Sequence, residues 1–590
     1  MVLYFAWEIP QTGPNPSKVK RLTSPGTITL LAVLFLLSSG ALLAFLGEPV
    51  FWPGFWAIAF FYGLIFYIGA LAARRESGDS SESLFLAGRA VPLWMGAFTM
   101  SATWVGGGYI NGTAESTAAS GLAWVQAPWG YALSLVLGGL FFAGPMRKKR
   151  YTTMLDPLAL KYGQKHAAVL FLVALSGELF WTAAILTALG TTFGTVIGVD
   201  FTSAIVISAV VAVAYTTLGG LWAVASTDVL QLLILVVGLW LVVPFVVESG
   251  PGLAASWQSY QISPGWNFPT GLGVWQWWDF ALLLVLGGIP WQVYFQRVLS
   301  ARDERTARRL SFVAAIVCLV AAAPAVLIGI VAGVTDWPAL GLPPPESSAL
   351  VLPHALRYLT NPWIAAVGLG ALSAAVMSSV DSSILSASTM AVWNVYRPLL
   401  RPHANGRELA RATRIAILVI GATATLIALK VQSVYALWFL CSDFVYCLLF
   451  AQLLTALFDP RANIHGAAAG FVVSFILRFG GGDATLGIPQ TIPYPFAEFP
   501  FRTLSMLCGL FTIAVVSRIS DSYSSKNLTH LMRGDRSPSV LKPLSSASVL
   551  TSPVLNTREV YPLLEASPNA DLSNFRTEFF ALPRIKWVKF

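Results

Sequence analysis

Long apolar runs alternate with short polar stretches along nearly the whole chain. Runs of about span length occupy 55–73, 91–114, 122–145, 166–198, 202–220, 224–247, 279–299, 310–334, 362–395, 415–432, 434–457, 464–480 and 503–518, with one more at 27–46. A hydrocarbon core about 30 Å thick needs roughly 20 apolar residues per helix. The pattern therefore predicts thirteen membrane helices, or fourteen with 27–46. Barrel strands would alternate polar and apolar positions, and these runs do not. Three regions follow: an N-terminal extension (1–54), a membrane core (55–520) and a polar tail (521–590). The run at 27–46 follows Lys18, Lys20 and Arg21, as a cleaved signal or an accessory helix would. The tail, rich in Ser and Pro without a helical stripe, reads as disordered and cytoplasmic.

Composition narrows the class. Of 590 residues, 56% are hydrophobic and only 11% charged, against about 25% charged in soluble domains. The net charge of +9 does not point to nucleic acid. The basic residues cluster at Arg74-Arg75, Arg147 to Arg150, Arg302 to Arg309 and Arg397 to Arg414, in alternate loops, while 249–278 and 335–350 contain no Lys or Arg. Positive loops stay cytoplasmic, which puts residue 54 outside and the tail inside. Cys318, Cys441, Cys447 and Cys508 all fall in apolar runs, so an extracellular disulfide framework is excluded. The chain has no phosphate-binding GxxxxGK[ST] loop, no HExxH and no Cys-x-x-Cys. Neither ATP drive nor an enzyme is expected.

Two runs carry helix-breaking residues at mid-depth. One reads Thr99-Met100-Ser101-Ala102-Thr103-Trp104-Val105-Gly106-Gly107-Gly108-Tyr109, the other Leu286-Gly287-Gly288-Ile289-Pro290-Trp291-Gln292. Glycine loses the most backbone freedom in a helix and proline removes a donor. Unwound backbone at membrane depth is tolerated where it lines a cavity or is buried in protein. The breaks fall in the first and sixth helices counted from 91, the starts of two five-helix halves, as in inverted-repeat secondary transporters. The alternative is that the glycines only let helices pack closely.

Trp104 and Trp291 sit in the breaks, Trp181 lies mid-span, and Tyr131 is in the span after the first break. Gathered around a cavity, such rings suit a quaternary ammonium, at about 2 kcal/mol or more per desolvated contact; ordinary aromatic packing is the other reading. Intramembrane carboxylates cost at least about 2.5 kcal/mol each, which singles out Glu178, Asp228, Asp381 and Asp443. Ala375 and Ser379 share one helix face, as do Ser378 and Ser382. Their oxygens suit sodium, unless the serines merely bond back to their own helix. Asp228 would pair with a basic residue or form a second cation site.

At these motifs the sequence resembles the sodium/solute symporter family, and within it the members that carry choline. The matching runs are Thr103-Trp104 through Ala114-Glu115, Gly138 to Ala143, Thr153 to Pro157, Gly287 to Val298 and Ala374 to Ser388, and the resemblance covers about 55–520. It implies an all-α LeuT-type fold built on an inverted five-helix repeat. It also implies sodium- and chloride-dependent import of choline across the plasma membrane for acetylcholine synthesis, at presynaptic terminals and on synaptic vesicles. The implied substrate cage is Trp104, Tyr131, Trp181 and Trp291, with Gln292 beside the choline hydroxyl. The implied sodium ligands are the carbonyls of Ser101 and Trp104 with Ala375, Ser378 and Ser379, and a second site would use Asp228, Ser379 and Ser382. Chloride ligands are not placed. Ser101 stands where relatives carry Thr, and residues 1–54 exceed the family's short N-terminus. A same-fold symporter for proline, betaine or a sugar, a sensor and a channel are the competing readings. In the tail, Glu559, Leu563 and Leu564 fit an acidic dileucine signal for an endocytic adaptor.

Overall fold

In hydrocarbon every backbone N–H and C=O must find a partner within its own segment or a closed barrel. The described apolar runs satisfy this as helices, and the only β pairing among the described residues is two isolated bridges. The computed structural model describes residues 50–73, 85–197, 200–217, 221–431 and 433–532, with scattered positions from 29 to 47. Contacts divide the chain into Met1–Ser525 and Lys526–Phe590; the first is described here. Glu559, Leu563 and Leu564 lie outside the described residues, as does most of 27–46.

In chain order the helices are α1 (Trp52–Ala73), α2 (Leu93–Trp104), α3 (Gly107–Ser120), α4 (Ala127–Leu137, continuing through a π-helical turn to Lys148), α5 (Asp156–Tyr162), α6 (Gln164–Ile197), α7 (Phe201–Thr216), α8 (Leu221–Ser249) and α9 (Leu253–Ile262). There follow α10 (Gly273–Gly287), α11 (Gln292–Ser300), α12 (Glu304–Val334), α13 (Val351–Tyr358), α14 (Pro362–Met390) and α15 (Gly406–Val431). The last are α16 (Val434–Phe444, continuing through a π-helical turn to Phe458), α17 (Ile464–Gly480) and α18 (Phe501–Met532).

Ten helices among the described residues are long and apolar enough to cross a bilayer unaided, and Phe201–Val213 and Ile464–Gly480 are shorter apolar helices. The thirteen expected spans are thus not reached on length and composition alone. The physical reason is visible at 91–114, which folds as two short helices, α2 and α3, rather than one.

Helix α14 lies deep within Met1–Ser525. Asn361 caps it, accepting from the N–H groups of Trp363 and Ile364 at 3.1 Å each, and Pro362 occupies the first turn, where its missing donor costs nothing. Every residue from Gly368 to Met390 is buried. Ala, Ser and Gly dominate this stretch, and small side chains let backbones approach closely. Helices α1, α6 and α8 pack on different faces of α14, so its serines are held between several elements at once.

Candidate substrate and cation site

The two breaks are made by specific close approaches. Helix α2 ends at Trp104, with the Val105 N–H still donating to Ser101 O at 2.8 Å; Gly106 is extended and α3 begins at Gly107. A Cβ on Gly106 would collide with Ser379 Oγ, so only glycine lets α14 reach the unwound backbone. At the second break, a Cβ on Gly288 would sit 2.5 Å from Ser134 Oγ. The Trp291 backbone is extended, and its indole N–H donates to Gly287 O at 2.7 Å, closing the last turn of α10. Trp291 therefore shapes the break as well as facing it.

The four expected aromatic residues come together. Trp104 stacks on Tyr131 with ring centroids 5.1 Å apart, and lies 6.3 Å from both Trp181 and Trp291. Trp181 and Trp291 meet edge-to-face at 5.4 Å. All four are buried. A fifth ring, Trp438 of α16, packs 5.2 Å from Tyr131, and the Tyr131 hydroxyl is hydrogen-bonded to Ser442. Sequence reasoning passed over Trp438 because its run has no break; its only signal was a tryptophan amid apolar residues four positions before an unusual Ser-Asp pair. The rings touch one another. With centroids 5.1–6.3 Å apart, the rings leave no room between them for a further group. The indole N–H of Trp104 is buried without a partner.

Gln292 is also buried, and its carbonyl oxygen accepts from the Met154 N–H at 2.8 Å. Its amide nitrogen has no partner.

The residues expected to hold sodium divide into two sets. Ser379 Oγ donates to Thr103 O at 3.0 Å and approaches Ala102 O at 3.4 Å, bridging α14 to the first break. Ser101 O is occupied by the Val105 N–H, and Ala375 is buried nearby on the same face of α14. Ser378 points elsewhere, donating to Asp228 Oδ1 at 2.6 Å. Asp228 Oδ2 accepts from Thr99 Oγ1 and faces Arg297 Nη2 at 3.4 Å. Arg297 Nη2 also donates to Ser382 Oγ at 2.5 Å. Sequence inspection left open whether Asp228 pairs with a basic residue; the partner is Arg297, one turn beyond Trp291's half-helix start and 69 residues away.

The other intramembrane carboxyls find hydroxyls or guanidiniums. Glu178 accepts from Ser386 at 2.7 Å and Asp381 from Thr216 at 2.8 Å, each with its second oxygen unpartnered. Asp443, also singled out, is held by Arg478 and Arg502.

Both ends of the broken helices are tied. At the end bearing the 147–150 basic cluster, Val91 N–H donates to Ser300 O at 3.1 Å, Gln296 Nε2 to Phe85 O at 3.0 Å and Arg147 Nε to Ala301 O at 2.7 Å. At the opposite end, Tyr260 Oη donates to Thr117 O at 2.6 Å, and Leu122 N–H to Gly265 O at 2.9 Å. The broken helices are thus bridged to neighbouring segments at both ends, and the four rings between them are buried.

A polytopic helical fold with two mid-membrane breaks, an aromatic cluster and a hydroxyl-rich helix face defines a multi-pass secondary transporter. The model of the sodium:solute symporter family matches residues 84–474, and the chain belongs to that family, whose members couple transport to sodium. It is 48% identical over 493 residues to the human high affinity choline transporter 1, covering 79% of this chain and 85% of that protein. With the Drosophila melanogaster high-affinity choline transporter 1 it shares 46% identity over 481 residues, 78% of this chain and 77% of the relative. Among solved structures, a sodium-coupled sialic acid symporter in a substrate-bound, outward-open state superposes with a TM-score of 0.66 at 19% identity, covering 79% of this chain and 97% of that one. The fold is accordingly the all-α, LeuT-type architecture.

Proposed function

We propose that this protein imports choline across the plasma membrane, driven by sodium and requiring chloride. The observation that carries the reading is the convergence of Trp104, Tyr131, Trp181 and Trp291 on the two breaks, joined by Trp438. Indole and phenol faces attract an onium that has no hydrogen-bond donors on nitrogen. A sugar would need several polar partners, and the breaks supply few. The choline transporters named above, alike over most of their length, favour the same solute.

In this reading choline enters between the broken helices and its trimethylammonium parts the rings. The Gln292 amide donates to its hydroxyl. Sodium binds where α14 meets the first break, with Ser101, Trp104, Ala375 and Ser379 as ligands and Ser378 turning from Asp228 to join them; Asp228 and Ser382 serve a second. Both solutes are cations, so a potential of about −60 mV adds roughly 1.4 kcal/mol per charge to uptake. The tail would then be cytoplasmic, and Glu559, Leu563 and Leu564 would recruit an endocytic adaptor. A presynaptic and vesicular location supporting acetylcholine synthesis follows from the same reading.

The test is flux of labelled choline, with labelled proline as control, into proteoliposomes under a sodium gradient. Trp104→Ala removes a ring that makes no indole hydrogen bond, and should raise the choline concentration for half-maximal uptake roughly tenfold or more. Ser378→Ala should raise the sodium requirement instead. Proline uptake in place of choline, or unchanged uptake in both variants, refutes the assignment.

A further inference from the structure

We propose that the groove between the end of α4 and the start of α12 binds the headgroup of a phosphoinositide, an inner-leaflet lipid that carries several phosphates. The inference rests on the cytoplasmic placement of the basic loops in the reading above, and not on the solute carried.

Two stretches far apart in sequence meet there. Residues 147–150 and 302–309 together hold eight Lys and Arg, against only Asp303 and Glu304. Arg147 joins the two, donating from Nε to Ala301 O at 2.7 Å and from Nη2 to Arg302 O at 3.1 Å. About one turn earlier on α4, a Cβ on Gly144 would collide with the Arg308 guanidinium, so this arginine of α12 lies directly across α4. The apolar spans of the two helices run over Leu122–Lys148 and Glu304–Val334. The charges therefore gather where both helices leave the hydrocarbon, at the level of the headgroups.

The positive-inside tendency accounts for basic loops, but not for how these side chains are left. In the loop at 397–414, Arg397 stacks on Trp393 at 4.3 Å and Arg401 faces Glu408 at 3.8 Å. In the groove, Lys148, Lys149, Arg305, Arg308 and Arg309 are exposed and make no ion pair among the described residues; Arg302 alone reaches Asp303, at 3.6 Å. Like charges packed this densely repel one another, and a headgroup with a single negative charge relieves little of that. Several phosphates on one ring match it, and arginine grips phosphate through two parallel N–H bonds.

Deeper in the span, both helices offer a surface for the tails. Leu140 and Phe141 on the π-helical turn of α4 are exposed, as are Val313, Ile316 and Val320 on α12. The three on α12 are spaced by three and four residues and share one helix face. A basic rim above exposed apolar walls suits a lipid better than a free phosphate. Because Arg147 also ties α4 to the segment that follows α11, an occupied groove would brace the inner end of the second broken helix.

The experiment measures binding of a fluorescent short-chain phosphatidylinositol bisphosphate to the purified full chain in detergent. Short-chain phosphatidylserine and soluble inositol trisphosphate are the competitors. The bisphosphate lipid should bind at least about tenfold more tightly than either. Lys149→Gln with Arg308→Gln should weaken its binding about thirtyfold, the effect expected of two charges at a membrane surface. Removing two charges from the other loop, Arg411→Gln with Arg414→Gln, should change it less than about twofold. If the Arg308 substitution unsettles α4 against α12, Lys149→Gln alone should still weaken binding about fivefold, and Lys149→Arg should preserve it. Equal weakening by the two double variants would reduce the site to diffuse attraction and overturn the proposal. Phosphatidylserine or inositol trisphosphate binding as tightly as the bisphosphate lipid would overturn it too, the first by removing the need for several phosphates and the second by removing the need for tails. The assay does not read solute flux, so failure here leaves the choline assignment standing, and loss of that assignment leaves this site in place.

Discussion

Two buried arginine–aspartate clusters lie in the same membrane core and are built in opposite ways. Arg478 grips Asp443 with both prongs, Nε to Oδ1 at 2.5 Å and Nη2 to Oδ2 at 2.7 Å, and Arg502 adds Nε to Oδ2 at 2.7 Å. Asp483 and Asp279 complete that network, and Phe444, Phe479, Phe501 and Phe280 wall the guanidiniums within 4.5–5.8 Å. It joins α10, α16, α17 and α18. Around Asp228, by contrast, one long guanidinium contact is surrounded by hydroxyls from α2 and α14. Every partner of the first cluster is spoken for by geometry that only those partners satisfy. The second can exchange partners, because hydroxyls rotate and a single-pronged pair has no register to lose. The first holds helices together in one arrangement; the second is free to rearrange.

The largest effect should therefore come from the tight cluster. Asp443→Asn leaves the buried Arg478 and the partly buried Arg502 short of a charge, and breaking a buried pair by removing one partner costs about 3–5 kcal/mol. The thermal unfolding midpoint of the purified protein should fall steeply, with no change in sodium dependence of whatever folded fraction remains. If Asp443→Asn is as stable as wild type, the network is not what binds α16 to α17 and α18, and the contrast collapses.

Asp443 also marks where the sequence stopped being legible. Apolar periodicity and the Gly-Pro breaks placed the helices and both interruptions, since these depend on local chemistry: the unwound backbone at Gly106 and Gly288 is written in the residues themselves. The four rings that meet were findable for the same reason, three of them lying in breaks or deep in a span. Asp443 looked like a functional carboxylate because its neutralising partners, Arg478 and Arg502, are 35 and 59 residues away, and pairing at that range is set by tertiary packing. Arg297 was missed in the same way. Trp438 went unnoticed because nothing in its own run sets it apart from an interfacial anchor; only the fold brings it against Tyr131. Ser378 and Ser379 were read as one ligand set, and the helix turns one toward Asp228 and the other toward the Ala102 and Thr103 carbonyls.

A middle-sized effect should follow from the loose cluster. Asp228→Asn keeps the volume and one acceptor, while Arg297 retains Ser382. Breaking a buried pair by removing one partner costs about 3–5 kcal/mol, and the single long contact at 3.4 Å puts this variant at the lower end of that range, below Asp443→Asn. The sodium concentration for half-maximal stabilisation should rise roughly tenfold or more, since each 1.4 kcal/mol of lost contact is a factor of ten. Equal destabilisation by the two asparagine variants, with sodium dependence intact in both, would erase the distinction between a structural and an exchangeable pair.

The smallest effect calibrates both. Asp303 precedes α12 on the basic loop, well exposed, and its side chain accepts from the Thr306 N–H at 2.8 Å. That backbone donor holds its carboxyl below the usual carboxylate range. Removing an N-cap oxygen costs about 1 kcal/mol, and here the local ion pair with Arg302, 3.6 Å away, adds little because water screens it. The sign of its pH dependence is fixed: a depressed folded-state value contributes stability above the unfolded value near 3.9 and loses it as pH falls through the folded one. Asp303→Ala should therefore lower the unfolding midpoint slightly at neutral pH, and the gap to wild type should close on acidification below about pH 4. A gap that persists in acid would mean that this carboxylate stabilises α12 by something other than its charge. The scale against which Asp228 and Asp443 are compared would then have to be set by a different exposed cap.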